Sequence, residues 1–342
     1  MPSTARRRWA KELDFEIDGI ALAAGGPILI HGYEAPAGGM WIDEVIPGKL
    51  LAMDRTTGDS YWHSPCEVGY GRGFGAGFGE GDDIIVLGPS ANGHRIIRMD
   101  TGTGKLLGAE PIDAFDEAHV WGDICVCANA GLVFAISSAM MQEAWRFSRE
   151  GQRFHQVARS GDWILVVHSD RKTHQKGVLA LDAVTGEVAE TVLAPTIGVL
   201  DGIAADGQNL CVLTADVAAL LPVELATSFL ADLEERGGPH GDIAIDRSTL
   251  LGLSIEDERA RVVWYEILST QSGDADDVSI TADSGKLYIS RGAMVEVRDL
   301  VSGRLLGEWT VPGLDEQVAW QVSSGAGLLA EENRISVFEL PA

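Results

Sequence analysis

The chain has 342 residues, 46% of them hydrophobic, and a formal net charge of −25, so it can bury a large core. Nucleic acid and anionic membrane surfaces are not expected as partners, because both need concentrated Lys and Arg. No apolar run reaches the length of a membrane span, and a basic or metal-bearing partner suits the charge better.

The chain opens on "MPSTARRRWAKELDFEIDGIALAAGG". Basic residues precede apolar ones there, but Glu12, Asp14, Glu16 and Asp18 interrupt the place where an uncharged run should stand. No signal peptide is expected, and the location expected is cytoplasmic. Cys66, Cys125, Cys127 and Cys211 have neither redox-motif nor zinc-knuckle spacing. They are expected as buried, reduced thiols.

One pattern then recurs. "LLAMDRTTGDSYW" (50–62) returns as "RIIRMDTGTGKLLG" (95–108), "GVLALDAVTGEVAE" (177–190) and "MVEVRDLVSGRLLGEW" (294–309). Each joins two alternating apolar runs through Asp-x-x-Thr/Ser-Gly, the pattern of a β-hairpin. Asp54, Asp100, Asp182 and Asp299 can accept a backbone N–H two residues on. Gly58, Gly104, Gly186 and Gly303 can supply a positive φ. Weaker copies stand at 132–145 and 250–264, and half a copy at "RISVFELPA". A second hairpin precedes each copy, so seven four-stranded units of about 49 residues are expected, a length typical of propeller blades.

The fold class expected is therefore all-β: a single seven-bladed β-propeller over 1–342, with an insert at 216–247 in blade five. The last unit lacks its fourth strand, and "RRRWAKELDF" near the start is an orphan whose Trp9 resembles Trp145 and Trp309. Residues 7–15 are expected as the outermost strand of the final blade. Residues 69–83, "GYGRGFGAGFGEGDD", hold seven glycines. No helix pattern follows them, so they suit a crowded innermost strand better than a phosphate loop.

The run Leu51, Ala52, Asp54, Thr57, Gly58 and Trp62 resembles the repeat of the quinoprotein-type propellers, the family named for pyrroloquinoline quinone (PQQ). The resemblance covers nearly the whole chain as architecture, and blades one, two, four and six carry the turn well. It implies a propeller without necessarily implying the cofactor. Quinone-dependent members are usually secreted, longer and eight-bladed, and hold the quinone between a Trp and a vicinal disulfide or equivalent residue. This chain has no adjacent cysteines and no calcium-ligand set matching theirs, so PQQ is not expected.

Three long connections are expected on one rim of the propeller. The first, 31–48, carries His31, Tyr33, Trp41, Asp43 and Glu44. The second, 168–177, carries His168, Asp170, Arg171, Lys172 and His174. The third is the blade-five insert, where "VELATSFLADLEERGG" has the spacing of a short helix. The entrances to the inner strands add Asp18, Asp116, Glu117, His155, Asp201, Asp276, Asp277 and Glu316 around the axis. The leading expectation is a recognition scaffold that binds a protein or small ligand on this face. The alternative is a lyase or hydrolase, with or without a metal, using His155, His168 or Asp201. A carboxylate-rich mouth could hold a divalent cation, or its carboxylates could simply face water. A PQQ-dependent dehydrogenase ranks last.

Overall fold

In the computed structural model the residues described are 3–22, 26–34, 48–68, 73–81, 83–173, 176–188, 200–214, 249–256, 259–268, 278–316, 319–323 and 325–340. The strands run, in chain order, β1 (Ser3–Thr4), β2 (Arg6–Glu12), β3 (Glu16–Leu22), β4 (Ile28–Tyr33), β5 (Gly48–Met53), β6 (Ser60–Cys66), β7 (Gly75–Phe78), β8 (Ile84–Ser90), β9 (Gly93–Met99), β10 (Leu106–Pro111), β11 (Glu117–Trp121), β12 (Ile124–Asn129), β13 (Leu132–Ser137) and β14 (Gln142–Phe147). They continue as β15 (Gln152–Ser160), β16 (Trp163–Asp170), β17 (Lys176–Asp182), β18 (Leu200–Asp206), β19 (Asn209–Thr214), β20 (Thr249–Glu256), β21 (Arg259–Ile267), β22 (Val278–Asp283), β23 (Lys286–Arg291), β24 (Met294–Asp299), β25 (Leu305–Thr310), β26 (Ala319–Ser323), β27 (Ala326–Glu331) and β28 (Arg334–Glu339). They form seven sheets in which chain neighbours pair, and the fold is a seven-bladed β-propeller.

The chain divides into two compact units, Met1–Phe147 with Trp309–Ala342, and Ser148–Glu308. The first holds blades one (β3–β6), two (β7–β10), three (β11–β14) and seven. Blade seven has the order β2-β28-β27-β26: the orphan N-terminal segment pairs antiparallel with β28, as expected, over Arg6–Glu12. β1 adds a short parallel pairing of Ser3 with Trp309 and Thr4 with Thr310. The second unit holds blades four, five and six. Blade four has three described strands, β15-β16-β17, and blade five has the order β18-β19-β20-β21. The helix expected within 216–247 lies outside the described residues.

The central strands are apolar at consecutive positions because both of their faces are covered. In β8, Ile84 and Val86 pack with Leu29, Leu50 and Ala52 of blade one. The alternate residues Ile85 and Leu87 pack with Phe115, Cys125, Cys127 and Phe134 of blade three. Period-two geometry sends successive side chains to opposite neighbours. In the second unit, Leu210 and Val212 join Leu165 and Val178, while Cys211 and Leu213 join Leu287 and Ile289.

The repeated turns have the geometry read from the sequence. Asp54 Oδ1 accepts from the N–H groups of Thr56 and Thr57, both at 2.7 Å. Asp182 and Asp299 cap their turns in the same way. Three of these turns, those of Asp54, Asp100 and Asp299, also receive an indole from the preceding blade. Trp9 Nε1 donates to Arg55 O at 3.0 Å, Trp62 Nε1 to Thr101 O at 2.8 Å, and Trp264 Nε1 to Leu300 O at 3.0 Å. The indole lies against the turn glycine: a Cβ on Gly104 would stand 2.4 Å from Trp62.

The junction between blades two and three exchanges these two residues. Where the repeat has Trp, eight after the turn Asp, blade two has Gly108. Where blade three should have its turn glycine, it has Met141, a non-glycine residue at φ 52°. A Cβ on Gly108 would stand 2.7 Å from Met141 Cε, so the methionine side chain occupies the side from which an indole would come. The glycine run has a similar cause. A Cβ on Gly75 would meet Ala118 O at 2.7 Å and one on Gly77 would meet Val120 Cβ at 2.8 Å, so β7 can lie directly on β11 only if these two positions are bare. Both tests concern the swapped junction. Gly108→Trp alone is expected to destabilise by about 1–3 kcal/mol through overpacking. Adding Met141→Gly should recover most of that loss, a coupling of about 1–3 kcal/mol. Urea unfolding of the two single variants and the double variant measures it, and additive effects would refute the exchange.

Candidate functional site

In blades one, three and four, polar groups gather at the end opposite the hairpin turns that join the third and fourth strands. Three inner strands carry a bulge there. In β3 the register shifts between Ile17 and Gly19, leaving Asp18 as the extra residue. In β18 it shifts between Leu200 and Gly202, leaving Asp201. In β15 the shift falls between Phe154 and Val157, and the bulge holds His155 and Gln156. Counting from the hairpin turns of β15–β16 and β18–β19, His155 and Asp201 occupy equivalent positions. A bulge re-aims a side chain and breaks local pairing, which is why bulges cluster at functional sites.

In blade one, His31 belongs to β4 and not to a loop, and it is wholly buried. Its ring stacks on Phe74 with centroids 4.3 Å apart. Its Nδ1 stands 3.6 Å from Asp18 Oδ2, and the Val68 backbone is a further polar neighbour that favours the protonated ring. Burial pushes the imidazole down to about 3 and raises the Asp18 carboxyl to about 6. Tyr33 ends β4, half-buried. Lys49, on β5, pairs with Glu34 and lies 5.6 Å from the Phe15 ring centre.

In blade three, Glu117 Oε1 meets His119 Nε2 at 2.6 Å, and His119 stacks on Trp121 at 5.0 Å. These residues alternate along β11, so one face carries all three. The sequence reading found Glu117 but missed His119 and Trp121; the i, i+2, i+4 spacing was the available signal.

In blade four the candidates fall into two sets, one at His155 and one at His168 with Arg171. His155 Nε2 is 2.7 Å from Ser169 Oγ, and His168 Nδ1 contacts Gln152 Oε1. Arg171 Nε donates to Gln152 O at 3.2 Å. Asp170 Oδ1 caps the following turn, accepting from Lys172 N and Thr173 N at 2.8 Å each, and these bonds hold its carboxyl below the usual range. His168 is pushed down first by burial, then by the positive charges of Arg149 and His155. Ser169 and Gln152 were not picked out from the sequence, because only the antiparallel register sets them beside the histidines.

Trp41, Asp43, Glu44, His174 and Asp277 lie outside the described residues. Asp201 is placed on β18 and Glu316 in the short 3-10 helix Leu314–Glu316, with nothing described of their side chains. Among the described residues, no group of three or more His, Cys, Asp or Glu is arranged to hold a metal ion.

No family model matches this sequence, and no curated protein matches it. Solved structures do. The chain is similar to BamB from Moraxella catarrhalis, with a TM-score of 0.53 and 11% identity over 98% of this chain and 100% of that one. It is also similar to the computationally designed Ika8 protein, with a TM-score of 0.52 and 13% identity over 96% of this chain and 98% of that one. At these identities the likeness carries the propeller fold alone.

Two outcomes are expected. The four cysteines are free and buried, and burial raises the thiols of Cys66 to about 11 and Cys125 to about 12. A thiol reagent should therefore react slowly with folded protein and rapidly with four groups after denaturation without reductant; recovery of only two would mean a disulfide. The second outcome concerns pH. Asp18 binds its proton more tightly folded than unfolded, so its contribution favours the fold at low pH and is lost as pH rises from about 4 through about 6. His31 acts in the opposite sense, since only the unfolded chain takes up its proton as pH falls below the usual histidine range. Asp18→Asn should thus be more favourable, relative to the parent, at pH 7 than at pH 4.5. Equal effects in urea unfolding at both pH values would refute the assignment.

Proposed function

We propose that this propeller is a recognition scaffold, working in a reducing cytoplasm, which binds a protein or small ligand at the loop ends of its blades. The observation that supports this reading most is blade four. On a sheet whose β16 core is buried, one end carries the His155–Ser169 pair and, through Gln152, His168 and Arg171, and Arg171 is exposed in a strongly acidic chain. The opposite, turn end is occupied by its own capping bonds and, in three junctions, by an indole. That leaves the loop end to vary with a partner. Trp41 and Tyr33 would add aromatic contact area on the same kind of connection in blade one.

A second reading follows from one contact. His155 and Ser169 stand at the separation that a general base and a hydroxyl nucleophile need, so a hydrolase or lyase is the alternative. The test is a combined Trp41→Ala, His168→Ala and Arg171→Ala variant, set against Thr57→Ala, Thr103→Ala and Thr185→Ala at the turns. The loop variant is expected to keep its melting temperature within a few degrees and to lose the partner or ligand by about tenfold or more. Loss in the turn variant alone would place the surface at the wrong end. Ser169→Ala separates the two readings: binding kept with turnover abolished favours the enzyme, and no turnover in the parent favours the scaffold.

A further inference from the structure

We propose that the outer edge of blade two takes an added strand from a partner protein, an extended segment in which basic and apolar residues alternate. This surface lies within the first unit and stands independently of the loop-end reading. Three observations carry it. The first is the edge. Among the described strands, β10 has β9 as its one neighbour. Ile112 N donates to His94 O at 3.0 Å, so Ile112 and, two residues back, Glu110 turn their backbone groups to β9. Antiparallel pairing alternates, so Ala109 turns its N–H and C=O to the open side, and Pro111 its C=O. An open strand edge is a template for another strand. The chain itself fills the matching edge in blade six. "KLLGAEPI" (105–112) returns as "RLLGEWTV" (304–311), and there β1 pairs parallel with β25, Ala5 N donating to Thr310 O at 2.9 Å. Thr310 stands where blade two has Pro111. Because Pro111 offers no N–H, the added pairing is short, as that of β1 is, and side chains must supply the rest of the affinity.

The second observation is a groove on each face of β10. Towards blade three, a groove of about 540 Å³ has Phe134 and Ile136 at its floor and Glu110, Asp113, Glu143 and Arg146 along it. Towards blade one, a groove of about 650 Å³ is lined by Pro65, Ile97, Met99 and the exposed Leu106. The register shift between Leu106 and Gly108 divides the strand between them. Leu106 and Ala109 pair with Met99 and Ile97, whose side chains pack towards blade one, while Gly108 faces Met141 of blade three. A strand laid along β10 sends successive side chains to the two faces in turn.

The third observation is charge, which names the occupant. In the blade-three groove, Arg146 pairs with Asp113 at 3.0 Å and with Glu143. Glu110 is exposed and has no ion pair with another described residue, so this groove keeps a net negative charge. In the blade-one groove, Arg95 is paired with Glu67 at 2.5 Å, and the surface that remains is mostly apolar. A second copy of a chain with net charge −25 would bring more carboxylates. Lys or Arg complements the first groove, and Val, Ile or Leu the second.

The probe is a fluorescent peptide of about ten residues that alternates Lys and Val, titrated into the full chain and read by anisotropy. Its controls are the same residues in two blocks, and the alternating peptide with its amides N-methylated so that it cannot pair. Saturable binding of the alternating peptide is expected, at least about 10-fold tighter than either control and weaker as salt rises. Glu110→Lys should weaken it about 5-fold or more. Glu308→Lys, the same change of net charge at an exposed site on blade six, should leave it unchanged. Ala109→Pro removes the outward N–H and should weaken binding too; the N-methylated peptide asks the same question if that variant fails to fold. Equal binding of the alternating and block peptides, or equal effects of the two Glu→Lys changes, overturns the inference, because general attraction to an acidic protein then accounts for the contact. Absence of binding also overturns it. If the protein then forms a dimer in sedimentation that Ala109→Pro abolishes, the edge belongs to a second copy instead.

Discussion

The docking of an indole on the next blade's turn is the contact on which the repeated architecture depends. It satisfies several requirements at once. The turn Asp must cap two N–H groups so that the backbone carbonyl one residue on faces outward. The glycine must be bare, because a Cβ would enter the ring. Trp62 sits opposite the small Ala52 and Trp264 opposite Gly252, while Trp9 pairs with Val337. Each indole then donates its one N–H to a carbonyl that the hairpin leaves unused. The contact fixes the angle and height of one sheet against the next. The apolar residues of the central strands are then brought into contact by geometry already set.

That arrangement also decides where chemistry can sit. In blades one, two and six the turn end is committed to a capping Asp, a turn glycine and a docked indole. The other end carries the connections between second and third strands, whose lengths the contact does not constrain. The bulges at Asp18, His155 and Asp201 fall at this unconstrained end. There the ladder is broken without cost to the docked turn, and a polar side chain can leave the plane of its sheet. The inner strands thus combine a rigid lower part with an adaptable mouth.

Much of this was legible in the sequence because it is local. The Asp-x-x-Thr/Ser-Gly turn, the alternating flanks and the lone N-terminal strand each depend on neighbours a few residues away. The glycine run was also readable as crowding, since no helix follows it. The docking partners of Trp9, Trp62 and Trp264 were not readable, because each joins residues about 40 apart through a packing angle. The exchange of Gly108 and Met141 was hidden for the same reason: each looks like simple decay of the repeat until the two are set side by side. His31 shows the limit most clearly. Its sequence neighbours suggested a loop, but β4 runs on through Tyr33 and stacks the His31 ring on Phe74.

By itself, the sequence determined the number of blades, the identity of the turns and the strand that completes blade seven, because hydrogen bonds of short turns and period-two patterns are encoded by adjacent residues. Only the tertiary structure decided which polar side chains share an environment. Pairing register brought Ser169 to His155 and Gln152 to His168, bulges turned Asp18 and His155 out of their ladders, and burial separated the charge preferences of Asp18 and His31. These are properties of neighbours across strands, and the free energy of a polar or charged group depends on its surroundings in space rather than on its position along the chain.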